Sequence, residues 1–269
     1  MAHLEKNDHD VFPARDAARA RRVRAAHELL RGLDVRPAPE ATGDDVALLR
    51  NLDAVLAQTV RATRHTSGSV RAYASLIQDG YDSGSNASGW AARISHAAGE
   101  LDEFASRVAS LRVCENERVV DLRWQEVLAR VAERCGRVGA CTIEVIDRTG
   151  GTFRQRAEFA GRAIFHILRN AVEATPRGGI VRVRADHVRI DGASAVHLRV
   201  SDAGKGIDAD LDLNSIWKPF ITRKANHAGL GLAYVAVCAP SLGMVNGVRS
   251  DPQGTTIHTI IFEEGELTW

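Results

Sequence analysis

The residues best suited to chemistry in this chain lie in four short stretches of its C-terminal half. The first is HILRNAVEA at 166–174. Asn is a poor helix former, yet Asn170 falls within a helix-spaced apolar run. An amide oxygen on a helix face can ligate a metal ion, and His166, four residues earlier, shares that face. A surface Asn tolerated by the helix would read the same way. The second stretch is DAGKGI at 202–207, directly after the strand-like HLRVS. The Asp202 carboxylate could accept a hydrogen bond from an exocyclic amine, and Gly204 and Gly206 would let the backbone approach a ligand closely. An ordinary strand-end turn is the plainer reading of those letters. The third stretch, WKPFITRK at 217–224, ends on the cation Lys224. The fourth, HAGLGL at 227–232, opens a helix, where backbone N–H groups favour phosphate. Lys224 nearby adds charge. GTT at 254–256 is a further small-residue turn before the last strand. Each stretch alone is compatible with chance. All in this order, with these elements between them, are not.

The chain that must position these residues has 269 of them, 45% hydrophobic and 26% charged, which suggests about two domains. Its 35 basic and 34 acidic side chains nearly cancel, so the basic excess expected of a nucleic-acid binder is missing. No run of about 18 apolar residues offers a membrane span. The first residues have no apolar stretch behind a basic start, so no secretory signal is expected. Cys114, Cys135, Cys141 and Cys238 form no CxxC pair and no metal spacing. They read as reduced thiols, which points to the cytoplasm.

Residues 1–45 read as an accessory segment, with a helix over 16–33 and a linker at 36–40. Arg19, Arg21, Arg22 and Arg24 could bind an anion, but acidic neighbours favour a solvated helix face. From Val46 a heptad pattern appears. Leu49, Leu56, Thr63, Val70 and Ile77 occupy one seam position, and Leu52, Thr59, Thr66 and Tyr73 the other. After a Gly/Ser/Asn-rich loop at 80–89, a second seam runs through Trp90, Ile94, Ala97, Leu101, Phe104, Val108 and Leu111. Two such helices make a hairpin over 46–113. A lone hairpin buries too little, so two copies are expected to pair into a four-helix bundle, a homodimer.

Residues 114–269 change character. Helices are expected over 120–132, 159–174 and 231–237, and strands over 141–147, 180–187, 195–200 and 255–262, with Asp191-Gly192 as a hairpin turn. The fold class is therefore α+β: a helical hairpin, then an α/β sandwich.

The four stretches resemble the ATP-binding domain of two-component histidine kinases, within the group that includes gyrase, Hsp90 and MutL. Residues 166–174 look like the N box, 202–207 the G1 box, 217–224 the F box and 229–232 the G2 box. The PFxTxK…GLGL form is most similar to nitrogen-regulation kinases. The resemblance covers roughly 120–263 and implies a Bergerat-type fold that binds ATP with Mg2+. It implies that Asn170 holds Mg2+ between the phosphates, that Asp202 binds the adenine amine, and that Gly204 and Gly206 shape the adenine pocket. It places His166, Phe220, Lys224, Leu230 and Leu232 within the nucleotide boxes and Gly229 and Gly231 at the triphosphate, and it has Thr256 help close the adenine side. Residues 221–228 would be a short ATP lid. Two positions depart from the pattern: His166 stands where Asn is usual, and His227 or Ala228 where a glycine usually opens the last box.

The hairpin resembles the dimerisation and histidine-phosphotransfer domain of the same kinases. Its second helix fits well. In the first, His65 is followed by Thr66 rather than a carboxylate, Ser69 sits one turn on, and Val70 replaces Pro. Aligning instead on VRAYASLI at 70–77 puts the histidine position at Arg61. His65 lies outside the seam and should face solvent, as a phosphoacceptor must; an ordinary surface histidine would also lie there. His96 reads as a helix-surface residue. Ser69 could orient a water for phosphatase chemistry. The resemblance implies a phosphoryl relay from ATP to His65 and on to an aspartate of a separate response regulator, with residues 1–45 or a bound protein as the input. A kinase-like scaffold that binds a regulator without phosphorylating is the alternative.

Overall fold

The structure is a computed structural model and describes residues 11–79, 86–109, 117–136, 140–224 and 229–264. The chain divides into two compact units. Residues 46–113 form one, and residues 1–45 with 114–269 form the other. In chain order the elements are α1 (Val11–Gly32), β1 (Arg36–Pro37), α2 (Gly43–Asp79), α3 (Asn86–Ala109), β2 (Val120–Leu122), α4 (Trp124–Gly136), β3 (Thr142–Arg148), β4 (Phe153–Gln155), α5 (Ala157–Ala174), β5 (Ile180–Ile190), β6 (Ala193–Ser201), α6 (Gly231–Cys238), β7 (Met244–Asp251) and β8 (Gly254–Phe262).

The larger unit is built on a six-stranded sheet in the order β1-β7-β8-β6-β5-β3. β3 runs parallel to β5, and the other pairs are antiparallel. Strand side chains alternate between faces. One face carries Val181, Val183, Val196, Leu198, Val200, Ile257 and Ile261, all buried. α4, α5 and α6 lie over it with Trp124, Leu128, Phe159, Ile164, Ile167, Leu168, Tyr234 and Val235 inside. The first turn of α5 has no side-chain cap of its own at Arg156. The Glu117 carboxylate caps it instead, accepting the N–H groups of Glu158 and Phe159 at 2.7 Å each.

The opposite face is where sequence and structure part. Residues 1–45 read as accessory, yet Ala26 and Leu30 of α1 are wholly buried against Ile190, Ala193, Ala195, Val245, Ile260 and Phe262. Val35 closes the same cluster. Burying side chains of this size stabilises by about 1.5–3 kcal/mol each. Gly247 permits the approach: a Cβ there would lie 2.7 Å from Val35 Cγ1 and 3.0 Å from the Arg36 carbonyl. Residues 36–40, read as a linker, begin instead as edge strand β1, pairing Pro37 with Gly247, and the Ala38 N–H extends it to the Asn246 carbonyl at 2.8 Å. Arg21 pairs with Asp191 and Arg36 with Asp212. Also on this face, His197 Nε2 and His258 Nδ1 lie 3.0 Å apart, both rings buried.

Other boundaries moved by less. The expected helix over 120–132 begins as strand β2, paired with β4, and turns helical only at Trp124. Strand β7 was not expected at all, because Gly247 breaks its alternation.

In the smaller unit both expected helices form. α2 starts on a reciprocal cap: the Asp45 N–H donates to Thr42 Oγ1 at 3.2 Å, and the Thr42 N–H to Asp45 Oδ2 at 3.0 Å. The Thr42 hydroxyl, donating to Asp45 Oδ2 at 2.7 Å, and then the Thr42 N–H hold the Asp45 carboxyl below the usual range. Among the described side chains, the buried positions are Leu49, Ser67, Ala74, Ala91 and Ala98. The larger seam residues Tyr73, Ile77, Trp90 and Ile94 stay exposed, Tyr73 at 68% and Trp90 at 67%. The side chains of Leu56, Thr59, Thr63, Leu101, Phe104 and Val108, and the whole of Leu111, lie outside the described residues.

Candidate functional site

α5 carries Asn170 on its last turns, half-buried. Its side-chain amide makes no hydrogen bond among the described residues. The first residue of α6 packs directly onto this face, since a Cβ on Gly231 would stand 3.7 Å from Asn170 Nδ2 and 3.5 Å from His166 Nδ1. A glycine at the head of α6 therefore keeps the two helices close at the amide. His166 does share the Asn170 side of the helix, but it is buried, with its ring 5.0 Å from Tyr234 of α6.

Asp202 follows β6 and is half-buried. Its Oδ1 accepts the N–H groups of Gly204 at 2.9 Å and Thr255 at 3.2 Å. Oδ2 accepts no hydrogen bond among the described residues. Burial pushes this carboxyl up from the ordinary carboxylate value, against the pull of the two N–H donors. The loop after it is clamped. A Cβ on Gly204 would fall 2.7 Å from the Ala174 carbonyl, and Gly206 adopts φ +77° with the Asp251 carbonyl against it. The Ile207 N–H is held by Ser250 Oγ at 2.7 Å.

Residues 217–224 fold back on the head of α6. Phe220 takes a left-handed φ of 64°, and its N–H donates to the Gly229 carbonyl at 3.1 Å. Gly229 also takes φ +64°, with backbone of Phe220 and Ile221 where a Cβ would be. The Phe220 ring is exposed, Leu230 is buried and Leu232 half-buried. Lys224 Nζ donates to Glu173 Oε2 at 3.2 Å and reaches the Asn170 carbonyl at 3.5 Å. Residues 225–228, the second half of the expected lid, lie outside the described residues.

The structure thus brings His166, Asn170, Lys224, Gly229 and Gly231 together at one end of α5, with Gly204 joining Asp202 to its last turn. Thr256 stands apart from Asp202: its hydroxyl donates to Ser201 Oγ at 3.0 Å, on the sheet face opposite Ile257. It is the preceding residue, Thr255, that touches Asp202. Sequence reasoning missed Glu173, Thr255 and Ser250. Glu173 was legible as an acid three residues beyond Asn170; the other two act through a backbone N–H and a cross-loop hydroxyl, which leave no spacing signal.

His65 and Ser69 belong to the smaller unit. His65 is on α2, and its side chain lies outside the described residues. Ser69 is half-buried on the same helix.

The donor set suits a magnesium nucleotide. A half-buried amide oxygen without a protein partner is a ligand for a hard cation. A carboxylate oxygen without one is an acceptor for an exocyclic amine.

Comparison with known proteins agrees. Residues 155–265 match the family described as histidine kinase-, DNA gyrase B-, and HSP90-like ATPase. The chain is 29% identical over 211 residues to the C4-dicarboxylate transport sensor protein DctB of Rhizobium meliloti, covering 60% of this chain and 33% of that one. It is 34% identical over 101 residues to sporulation kinase A of Bacillus subtilis, covering 38% and 16%. The chain thus spans a third or less of these relatives' length. Among solved structures, full-length ShkA in complex with AMPPNP superposes with a TM-score of 0.61 at 21% identity, over 78% of this chain and 46% of that one, a likeness of fold.

Proposed function

From the match of residues 155–265 to the histidine kinase-, DNA gyrase B-, and HSP90-like ATPase family and the similarity to sensor and sporulation kinases, we propose that this chain is a two-component protein-histidine kinase. It binds Mg-ATP at the end of α5, phosphorylates a histidine and passes the phosphoryl group to an aspartate of a response regulator. The observation that carries the reading is a pair of oxygens with no hydrogen bond among the described residues, Asn170 Oδ1 and Asp202 Oδ2, on one clamped loop–helix junction. Mg2+, when bound, neutralises charge that develops on the phosphates. Asn170 holds it, Asp202 fixes the adenine amine, and the head of α6 faces the phosphates with its backbone N–H groups.

His65 is the acceptor we assign. An imidazole nitrogen attacks the γ-phosphorus in line, the bond to the β–γ bridging oxygen breaks, ADP leaves, and the ring loses its other proton to solvent. The homodimer forms through the exposed seam residues of α2 and α3. No helix among the described residues is long and apolar enough to cross a membrane.

The second reading, a scaffold that binds a regulator without phosphorylating, is favoured by one feature: Thr66 follows His65 where a carboxylate would orient the ring. Incorporation of label from γ-labelled ATP separates the two. Acid-labile label in the wild type, lost in both His65→Gln and Asn170→Ala, is expected. Label that survives His65→Gln moves the acceptor elsewhere. Nucleotide binding without any label supports the scaffold.

A further inference from the structure

The last turns of α5 hold an anion that the proposed reaction does not use. Glu173 lies three residues beyond Asn170, on the same helix face. Its side chain is 15% exposed. Arg169 Nε donates to one of its oxygens at 2.8 Å and Lys224 Nζ to the other at 3.2 Å. Arg169 is 13% exposed and Lys224 40%. The carboxylate is thus fixed from two sides by cations and set one helical turn from the amide that would hold a metal.

A fixed negative charge is the wrong neighbour for bare phosphates. It repels them through a partly desolvated medium, where charges interact more strongly than in water. It also draws the Lys224 ammonium toward itself and the Asn170 carbonyl, so less of that charge is turned to a phosphate. A divalent cation on the phosphates reverses both effects. It cancels their charge, and the carboxylate then attracts the metal end of the ligand.

We propose that Glu173 is a positioning residue that makes nucleotide binding depend on the metal, by penalising metal-free nucleotide and holding Lys224 until the metal-bound form arrives. This rests on the reading of the Asn170 end as the phosphate end of a nucleotide site. A purely structural role predicts something different. If Glu173 only tied residues 217–224 to α5, its loss would weaken binding with and without metal by the same factor.

The test is calorimetric titration of the full chain with a non-hydrolysable ATP analogue, in excess Mg2+ and in excess EDTA. The readout is the ratio of the two dissociation constants. Glu173→Gln is expected to shrink that ratio about tenfold, chiefly by tightening metal-free binding. Glu173→Asp should keep most of it. Lys224→Gln leaves the carboxylate less neutralised and should widen the ratio, which supplies an independent variant where Glu173→Gln fails to fold. Equal shifts in both conditions for Glu173→Gln, or an unchanged ratio, would overturn the proposal while leaving the nucleotide site intact. A wild-type chain that binds the analogue in neither condition would overturn the site itself.

Discussion

At the Asn170 end of the larger unit the groups without a hydrogen bond among the described residues are polar and few, the Asn170 amide and one oxygen of Asp202. In the hairpin they are apolar and broad, with Tyr73, Leu76 and Trp90 each about two-thirds exposed. Polar groups in a closed junction select a small ligand by hydrogen bonding and charge. An apolar stripe on two helices selects a surface of its own size. The difference is one of completeness: among the described side chains, the larger unit closes its core within one chain, whereas the hairpin leaves large apolar residues outside.

The comparison breaks first if α1 is not part of that core. Leu30→Ala removes a wholly buried side chain and should cost about 2–5 kcal/mol in urea unfolding of the larger unit. Leu76→Ala in the hairpin, by contrast, should change stability at low concentration by only about 0.5 kcal/mol, as exposed positions do. It should instead shift sedimentation toward monomer at higher concentration. A hairpin variant that unfolds the protein without changing its association state would reverse the contrast.

At the polar site, Asn170→Ala should weaken Mg-nucleotide binding about 10–100-fold, as loss of a metal-site partner commonly does, with the melting temperature unchanged in the absence of nucleotide. The buried His197–His258 pair sharpens the picture of the outer sheet face. Burial, reinforced by Arg199 beside both rings, holds each imidazole down to about 4. The unfolded chain therefore binds these protons more readily. Stability is complete above the ordinary value near 6.5 and falls as pH drops from there toward 4, by roughly 3 kcal/mol for one imidazole. His197→Phe should flatten that slope in acid titrations followed by circular dichroism. The smallest effect expected is Thr42→Ala, which removes half of the cap on α2 and should cost about 1 kcal/mol.

Much of the site was legible because its constraints are local. Asn170, Gly204, Gly229 and Gly231 each answer to a neighbour within the same loop or an adjacent helix, so letter order preserves them; Gly206, which packs against the Asp251 carbonyl of β7, was legible only through its spacing from Gly204. β5, β6 and β8 were legible for a similar reason, an unbroken alternation beside a turn signal. What was not legible depended on distant partners. Residues 36–40 look like a linker until β7 offers its edge, and α1 looks like a solvated helix because its arginines outnumber the two apolar positions it buries. The hairpin seam was legible as spacing, but spacing does not say which positions one chain covers by itself. Among the described side chains beyond Leu49, the small residues Ser67, Ala74, Ala91 and Ala98 took the buried positions, while Tyr73, Ile77, Trp90 and Ile94 stayed outside.

The hairpin is inserted into the larger unit, for residues 45 and 114 both belong to that body. Its two ends are therefore leashed to one anchor. At the α2 end the leash is a two-residue strand backed by α1, a short ladder of the kind that frays before a core does. While β1 stays paired, only residues 38–42 separate the sheet edge from the start of α2. Should α1 and β1 both detach, the α2 end loses its anchor on the sheet and the hairpin keeps the one at its α3 end. A signal that drew α1 out of the core would change how the hairpin is held without touching a single residue of the site.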